Sequence, residues 1–213
     1  MRTRVKICGI TCYEDALDAV NVGADAIGLV FYEKSPRFIS NQLAAEISFH
    51  MPVFVSRVAL FKDADKQTDK SVLAIVDIDI IQFHGAETPD FCEQFDKPYI
   101  KALGVKGAEH DIDYLISSAQ KYQSAKALLL DGHAPGEAGG TGESFDWAAI
   151  STAIAAIDKP VILAGGLTVE NVKQAIETVR PFAVDVSSGV ESSPGLKDKE
   201  KVTAFIDQVN QTG

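Results

Sequence analysis

Cysteine is scarce in this chain, and the few that occur suggest neither a disulfide framework nor a metal site. The 213 residues include three cysteines, Cys8, Cys12 and Cys92. An odd and sparse set is not the pattern of a fold held together by disulfides. The spacing Cys8-x-x-x-Cys12 could supply two metal ligands, but no second pair and no histidine cluster accompanies it in the sequence. We therefore expect no bound metal.

Basic residues and long apolar runs are also in short supply. There are 20 Lys and Arg against 30 Asp and Glu, which gives a formal net charge of −10. This balance disfavours binding to nucleic acids or to anionic membrane surfaces, although a few local donors are enough to bind a small anionic substrate. No run approaches the roughly 18 apolar residues of a membrane span. Met1–Arg4 leads directly into a predicted strand and lacks the features of a signal peptide, so we expect a cytoplasmic protein.

What the sequence does contain is a regular alternation of short β-rich runs with amphipathic segments. Eight runs have the composition of buried strands: Val5–Cys8, Ala26–Phe31, Arg57–Lys62, Ile78–His84, Tyr99–Gly104, Lys126–Asp131, Pro160–Ala164 and Phe182–Ser187. The other segments predict helices over Tyr13–Val22, Asn41–His50, Asp65–Val76, Thr88–Phe95, His110–Tyr122, Phe145–Ile157, Val169–Val179 and Lys197–Val209. We expect Thr11 and Ser40 to be the N-caps of the first two helices, and Gly23 to end the first.

This alternation predicts a parallel sheet, because parallel neighbours need a crossover connection. Eight strand–helix units in 213 residues favour closure into one α/β domain over residues 1–213, a (β/α)8 barrel of the TIM type. An open sheet is the alternative, but no Gly-x-Gly-x-x-Gly follows the first strand. Met51–Val55 is a second candidate for the third strand. Pro52 and Ser56 indicate a connection there instead, with Arg57–Lys62 as the strand.

Polar side chains fall at the carboxyl ends of predicted strands, where barrel enzymes have their active sites. Cys8 and Asp131 end the first and sixth strands and would face each other across the mouth of the barrel. A thiol of lowered pKa can act as a base and a carboxyl of raised pKa as an acid, so the pair suits proton transfer on two sides of a small substrate. The alternatives are a small buried hydrophobic residue for Cys8 and an N-cap or turn residue before Gly132 for Asp131.

Glycines gather in three predicted loops on the same rim. The loops contain Gly139–Gly142 (including Gly140 and Gly142), Gly165 with Gly166, and Ser187-Ser188-Gly189. Barrels commonly bind phosphate in the loops after the seventh and eighth strands, because glycine lets backbone N–H groups approach the anion. Each loop alone could be a tight turn, but three on one rim favour a small phosphorylated substrate.

The alternation of side chains along a strand predicts two further relationships. Lys6 points inward with Cys8, and Asp185 points inward with Ser187. Because the first and eighth strands become neighbours when the barrel closes, we predict a buried Lys6–Asp185 ion pair. His84 points inward like Gln82, and it is either a core histidine or a contact to the substrate.

Short motifs that follow one another along nearly the whole chain point to one known family. They are Lys6-Ile7-Cys8-Gly9-Ile10-Thr11, Gly28-Leu29-Val30-Phe31, Ser35-Pro36-Arg37, Gln82-Phe83-His84-Gly85, Leu130-Asp131, Gly139-Gly140-Thr141-Gly142, Phe145-Asp146-Trp147, Leu163-Ala164-Gly165-Gly166-Leu167 and Asp185-Val186-Ser187-Ser188-Gly189-Val190-Glu191. In these motifs the chain resembles the phosphoribosylanthranilate isomerase family of (β/α)8 barrels. It departs from the family in the third strand, where Ala59 stands in place of the usual glycine.

The resemblance implies an Amadori rearrangement of N-(5-phosphoribosyl)anthranilate in tryptophan biosynthesis. By that analogy Asp131 is the general acid that opens the ribose ring, and Cys8, as a thiolate, removes the C2 proton. Arg37 would hold the anthranilate carboxylate, and the glycine loops would hold the phosphate. The resemblance implies no metal or organic cofactor.

Two other functions remain as alternatives. Sugar-phosphate isomerases of the histidine pathway resemble this barrel, but they have an aspartate at the end of the first strand, where this chain has Cys8. A barrel that only binds a phosphosugar would not need both Cys8 and Asp131. The sequence leaves monomer and homodimer equally open.

Overall fold

The fold is a closed barrel of parallel strands, seen in a computed structural model that describes residues 2–105, 112–132 and 146–212. The barrel strands are β1 (Arg4–Cys8), β2 (Ala26–Val30), β3 (Ser56–Phe61), β4 (Ile80–Phe83), β5 (Tyr99–Gly104), β6 (Ala127–Asp131), β7 (Val161–Leu163) and β8 (Ala183–Val186). Each strand pairs in parallel with the next, and β8 pairs with β1. The predicted (β/α)8 barrel is confirmed, and each predicted strand is correct to within two residues at either end.

Helices follow the strands along the chain. They are α1 (Tyr13–Asn21), α2 (Asn41–Phe49), α3 (Lys66–Leu73), α4 (Pro89–Cys92), α5 (Ile112–Lys121), α6 (Trp147–Ala155), α7 (Val172–Val179) and α8 (Lys199–Asn210). The fourth helix is much shorter than predicted: Thr88 is its N-cap, Pro89 is its first residue, and it ends at Cys92. The predictions that placed helix starts at His110 and Phe145 fall on residues outside those described.

The three predicted helix caps have different outcomes. The Ser40 hydroxyl accepts a hydrogen bond from the Leu43 N–H, so Ser40 is the N-cap of α2 as expected. Gly23 has a φ of +105°, which suits its place just after α1. The prediction for Thr11 is wrong, because Cys12 occupies the N-cap position. The Thr11 hydroxyl instead donates to the carbonyl of Gly195, far along the chain.

The sequence offered two candidate segments for the third strand, and the structure shows which of them forms it. Ser56–Phe61 pairs with both β2 and β4, whereas Met51–Val55 forms the connection from α2 into the strand. In that connection the side chains of Val53 and Phe54 are 89% and 94% exposed. The interpretation that Pro52 marks a connection is confirmed.

A hairpin that the sequence analysis did not predict follows the barrel. After a short 3₁₀ helix (Ser188–Val190), β9 (Glu191–Ser193) and β10 (Leu196–Lys197) pair antiparallel. The turn between them contains Gly195 at a φ of +88°. The predicted start of the last helix at Lys197 is therefore wrong, since Asp198 caps α8 by accepting from the Glu200 and Lys201 N–H groups.

Apolar side chains form two clusters, one on each side of the barrel wall. The larger cluster includes residues of the strands and of the helices packed on them. The smaller one consists of Ile100, Ala102, Ala127, Leu129, Ile162, Ala164 and Ala183. Its members on β6 and β8 have the same strand parity as Asp131 and Asp185, so they fill the barrel interior beneath those carboxyl groups. Within the described ranges, none of the helices has the length and apolar character needed to cross a membrane.

Candidate functional site

One cavity of about 350 Å³ opens at the carboxyl end of the barrel. It collects most of the residues singled out in the sequence: Cys8, Arg37, His84, Asp131, Gly165, Gly166, Ser187 and Ser188 all line it. Gly189 follows directly in the 3₁₀ helix but is not among the lining residues. Gly140 and Gly142 lie outside the described residues.

Cys8 is the last residue of β1, and its thiol is buried at the floor of the cavity. Gly28, its partner in β2, gives the sulfur room, since a Cβ there would lie 2.7 Å from Sγ and 3.1 Å from Lys6 Cε. Burial raises the pKa of the Cys8 thiol, and Asp185 adds to the rise, while the Lys6 ammonium opposes it. The pKa of the Cys8 thiol is therefore raised, and not lowered as the sequence analysis had considered.

Lys6 and Asp185 form the predicted ion pair across the seam between β1 and β8. The Lys6 ammonium donates to Asp185 Oδ1 over 2.9 Å, and both side chains are buried. Burial alone would lower the pKa of Lys6, but Asp185 and Cys8 outweigh it and raise that pKa above its usual value. Lys6 is thus a fixed positive charge beside the thiol.

Asp131 ends β6 and contacts His84, which follows β4. His84 Nε2 lies 3.1 Å from Asp131 Oδ2, and Gln82 Nε2 lies 3.0 Å from His84 Nδ1. The predicted inward direction of Gln82 and His84 is confirmed, and both line the cavity. The barrel topology puts β6 three strands from β1, so Cys8 and Asp131 reach the cavity from different parts of its wall.

Arg37 is held by a residue to which sequence reasoning gave no role. Its Nε and Nη2 each donate over 2.8 Å to the two oxygens of Glu191 in β9. Lys197 in β10 donates to Glu191 Oε1 over 2.7 Å. Burial tends to raise the pKa of Glu191, but the hydrogen bonds from Arg37 and Lys197 hold it below its usual value. Glu191 appears in a motif of the sequence, whereas no pattern singled out Lys197.

The glycines of the rim have distinct geometries. Gly165 and Gly166 have φ values of +79° and +66°, a conformation in which a side chain is strained. A Cβ at Gly165 would also lie 2.8 Å from Asp131 Oδ1, so this glycine makes room for the carboxyl group. A Cβ at Gly189 would collide with the Leu167 carbonyl oxygen. The loops after β7 and β8 therefore pack directly on each other.

The closed parallel barrel, with its cavity at the carboxyl end of the strands, defines the class as a (β/α)8-barrel enzyme. No group of three or more His, Cys, Asp or Glu side chains within the described ranges is arranged to hold a metal ion. The family model of N-(5'-phosphoribosyl)anthranilate isomerase matches residues 5–208. The chain therefore belongs to that family. Its activity is that of an isomerase, an aldose–ketose intramolecular oxidoreductase of tryptophan biosynthesis.

Individual relatives agree with this assignment. The N-(5'-phosphoribosyl)anthranilate isomerase of Pseudomonas savastanoi pv. phaseolicola is 52% identical over 209 residues, which are 98% of each chain. The crystal structure of the Thermotoga maritima isomerase is 42% identical with a TM-score of 0.88, covering 98% of this chain and 99% of that one.

Two further solved structures are similar to this chain over 98% of its length and 99% of their own. One, described as mutually generated monomers of the dimeric T. maritima isomerase, has 39% identity and a TM-score of 0.85. The other is an isomerase of the same name in complex with reduced 1-(o-carboxyphenylamino)-1-deoxyribulose 5-phosphate, with 40% identity and a TM-score of 0.85.

Proposed function

We propose that the chain converts N-(5'-phosphoribosyl)anthranilate to 1-(2-carboxyphenylamino)-1-deoxyribulose 5-phosphate by general acid–base catalysis, with Asp131 as the acid and Cys8 as the base. The observation that carries this proposal is that the two side chains line one cavity from β6 and β1. A substrate lying between them would meet a carboxyl group and a thiol on different sides. Positioned groups of this kind each contribute about 10²–10⁴-fold to the rate.

The proton transfers follow from these positions. Asp131 protonates the ring oxygen of the ribose as the bond from that oxygen to C1 breaks, and the anthranilate nitrogen supplies the electrons for a C1 iminium. Cys8, as the thiolate, then takes the C2 proton, which leaves an enolamine. The enolamine becomes the ketone by losing the proton of its C2 hydroxyl and gaining one at C1. Because burial raises the pKa of the thiol, the adjacent Lys6 ammonium is the group that stabilises the thiolate.

The remaining lining residues suit the carboxylate, the aromatic ring and the phosphate of the substrate. Arg37 holds the anthranilate carboxylate in a charge-assisted contact, and Leu60 supplies apolar surface for the ring. His84 contacts the substrate beside Asp131. The loops after β7 and β8 hold the phosphate through Gly165, Gly166, Ser187, Ser188 and Gly189, and we assign Gly140 and Gly142 to the same role.

The direct test is turnover. Purified protein is mixed with freshly made phosphoribosylanthranilate, and the loss of anthranilate-type fluorescence is followed. We expect loss well above the uncatalysed rate, with the carboxyphenylamino ketose as the product. A rate at background would reject the catalytic function and leave only binding of a phosphosugar.

We further propose that residues 1–213 act as one cytoplasmic catalytic domain that forms a homodimer. The support for the dimer is an exposed apolar group at the amino-terminal end of the barrel, where Phe49, Val53 and Phe54 are 80%, 89% and 94% exposed. Large apolar side chains that are this exposed and close in sequence are typical of an interface, and a relative of similar fold is described as dimeric. Sedimentation of the wild type and of Phe54→Glu tests the proposal: we expect a dimer and a monomer respectively, and a monomeric wild type would reject it.

A further inference from the structure

The hairpin after the barrel brings two buried charges to Arg37. Glu191 accepts from Nε and Nη2 of Arg37, both over 2.8 Å, so the guanidinium is bound along one edge. Lys197 donates to the same carboxylate over 2.7 Å and lies 3.4 Å from both the carbonyl and the hydroxyl oxygens of Ser187. The side chains of Glu191 and Lys197 are only 5% and 2% exposed.

The charges of Arg37, Glu191 and Lys197, together called the trio, do not cancel. Arg37 and Glu191 alone form a neutral pair, and a neutral pair attracts an anionic ligand only weakly. Lys197 adds one positive charge, so the trio carries one net positive charge at the rim of the cavity. The neighbouring Lys6–Asp185 pair is neutral. Among the buried charged groups at this side of the cavity, the net positive charge therefore depends on Lys197; Lys34 and Lys62 also line the cavity, but neither side chain is buried.

The geometry also fixes the direction of Arg37. The fork-shaped contact with Glu191 holds the plane of the guanidinium, because two parallel hydrogen bonds allow one orientation. Gly9 supports this arrangement: a Cβ there would lie 3.1 Å from Arg37 Cγ and 3.0 Å from the Ser187 hydroxyl, so only glycine lets the arginine stem pass. The guanidinium edge that carries Nη1 is the one left for a ligand in the cavity.

We propose that Glu191 and Lys197 are positioning residues that determine the specificity for a substrate bearing an aromatic carboxylate. Glu191 orients Arg37, and Lys197 restores the positive charge that Glu191 neutralises. This inference rests on the proposed function, in which Arg37 binds the anthranilate carboxylate. It extends the binding site to the hairpin β9–β10.

Binding of two matched ligands to Lys197→Met tests the inference. The first ligand is reduced 1-(o-carboxyphenylamino)-1-deoxyribulose 5-phosphate, and the second is the same compound without the carboxylate. Calorimetry measures both affinities and needs no turnover. We expect the variant to lose roughly tenfold or more in affinity for the carboxylate ligand, and little for the other. With substrate, KM should rise more than kcat falls.

Lys197→Met removes the charge of the lysine with little other change, and a surface lysine provides a matched control. Methionine fills the place of the lysine stem, and Glu191 keeps its pairing with Arg37, so no buried carboxylate is left without a cation. Lys199→Met is the matched control, because Lys199 is 67% exposed and its pair with Asp18 lies at the surface. That control should bind both ligands as the wild type does, and thermal melting shows whether either variant is folded.

The outcomes separate this inference from the proposed function. An equal loss of affinity for both ligands in Lys197→Met would overturn the inference, because Lys197 would then only support the loop. Unchanged affinity for both would overturn it as well. If the wild type binds the carboxylate ligand selectively, Lys197→Met loses that selectivity, and the wild type does not turn over substrate, the catalytic proposal fails while the inference stands. If the wild type does not prefer the carboxylate ligand, the inference fails even when turnover is seen.

Discussion

His84 donates its Nε2 proton towards Asp131, because its other ring nitrogen is already occupied. Gln82 Nε2 can only donate, so His84 Nδ1, 3.0 Å away, accepts from it, and Nε2 is left as the donor of the ring. That nitrogen lies 3.1 Å from Asp131 Oδ2. The imidazole thus fixes the direction of the carboxyl group.

Replacing His84 should weaken catalysis without abolishing it. In His84→Ala, Asp131 loses a contact that orients it, and we expect kcat to fall about tenfold. His84→Gln retains an N–H donor and should recover part of the loss. Steady-state kinetics of both variants measure this. A His84→Ala enzyme with unchanged kcat and a raised KM would instead make His84 a residue that only binds substrate.

Asp131→Asn should remove the proposed acid while preserving the shape of the site. The amide cannot protonate the ring oxygen, so we expect kcat to fall by about 10²–10⁴-fold. The reduced product ligand should still bind within a few-fold of wild type. Asp65→Asn is the control of the same chemical type, since Asp65 is an exposed helix cap outside the cavity. Near-normal turnover in Asp131→Asn would remove Asp131 from the mechanism.

Cys8→Ala should remove the proposed base. Because the thiol is small and lies beside Gly28, alanine fits the space, and the fold should survive. We expect turnover to fall about 10²–10⁴-fold, with a melting temperature near that of wild type. Cys12→Ala is the internal control, since Cys12 makes no side-chain cap hydrogen bond and is absent from the cavity lining. If both variants retain activity, another group is the base.

The Cys8 thiol should titrate at alkaline pH. Its pKa is raised by burial and by Asp185, while Lys6 only opposes the rise, so the thiolate appears above the ordinary thiol value of about 8.5. The rate of alkylation of Cys8 by iodoacetamide, followed by mass spectrometry of the peptide, should therefore rise with pH and have its midpoint above that value. A midpoint near 7 would mean that Lys6 dominates over burial.

Asp69 in α3 should make the fold less stable as pH rises. Burial, together with Glu87 and Asp65, raises its pKa to about 7, and neither carboxyl oxygen has a hydrogen-bond partner among the described residues. The unfolded chain titrates near 3.9, so the destabilisation grows from about pH 4 to pH 7 and is constant above. Asp69→Asn should therefore stabilise the protein by roughly 2–4 kcal/mol at pH 8, and much less at pH 4.

Chemical unfolding of wild type and Asp69→Asn at both pH values measures this difference. Asp65→Asn is a control in which we expect the opposite change in stability. The helix-cap hydrogen bonds lower the pKa of Asp65, so its ionised form stabilises the fold. That variant should be less stable than wild type above pH 4. A pH-independent effect of Asp69→Asn would show that the carboxyl group is ionised at neither pH or at both.

The barrel could be predicted because its determinants are local. Each strand is a short apolar run, and each run is followed by a segment with helical periodicity, which leaves little choice of sheet type. The hairpin could not be predicted in the same way. Its strands have three and two residues, too few for any alternation to show, so the sequence pattern predicts the start of α8 at Lys197.

The same distinction applies to the site. Cys8, Asp131 and the Lys6–Asp185 pair follow from strand ends and strand parity, both of which a sequence contains. The bond between Arg37 and Glu191 spans 154 residues and joins a loop to the hairpin. No periodicity sets the register of such segments, so only the folded chain brings them together. The raised pKa of Cys8 likewise depends on burial, which its position in the sequence did not quantify.

The pairing of β1 with β8 has a consequence for the synthesis of the polypeptide chain. Cys8 lies on β1, which is synthesised long before Asp185 in β8, Glu191 in β9 and Lys197 in β10. During translation one edge of β1 stays unpaired until Ala183–Val186 has been made and can form hydrogen bonds with it. The cavity is therefore complete only after β8 and the hairpin β9–β10 have been made.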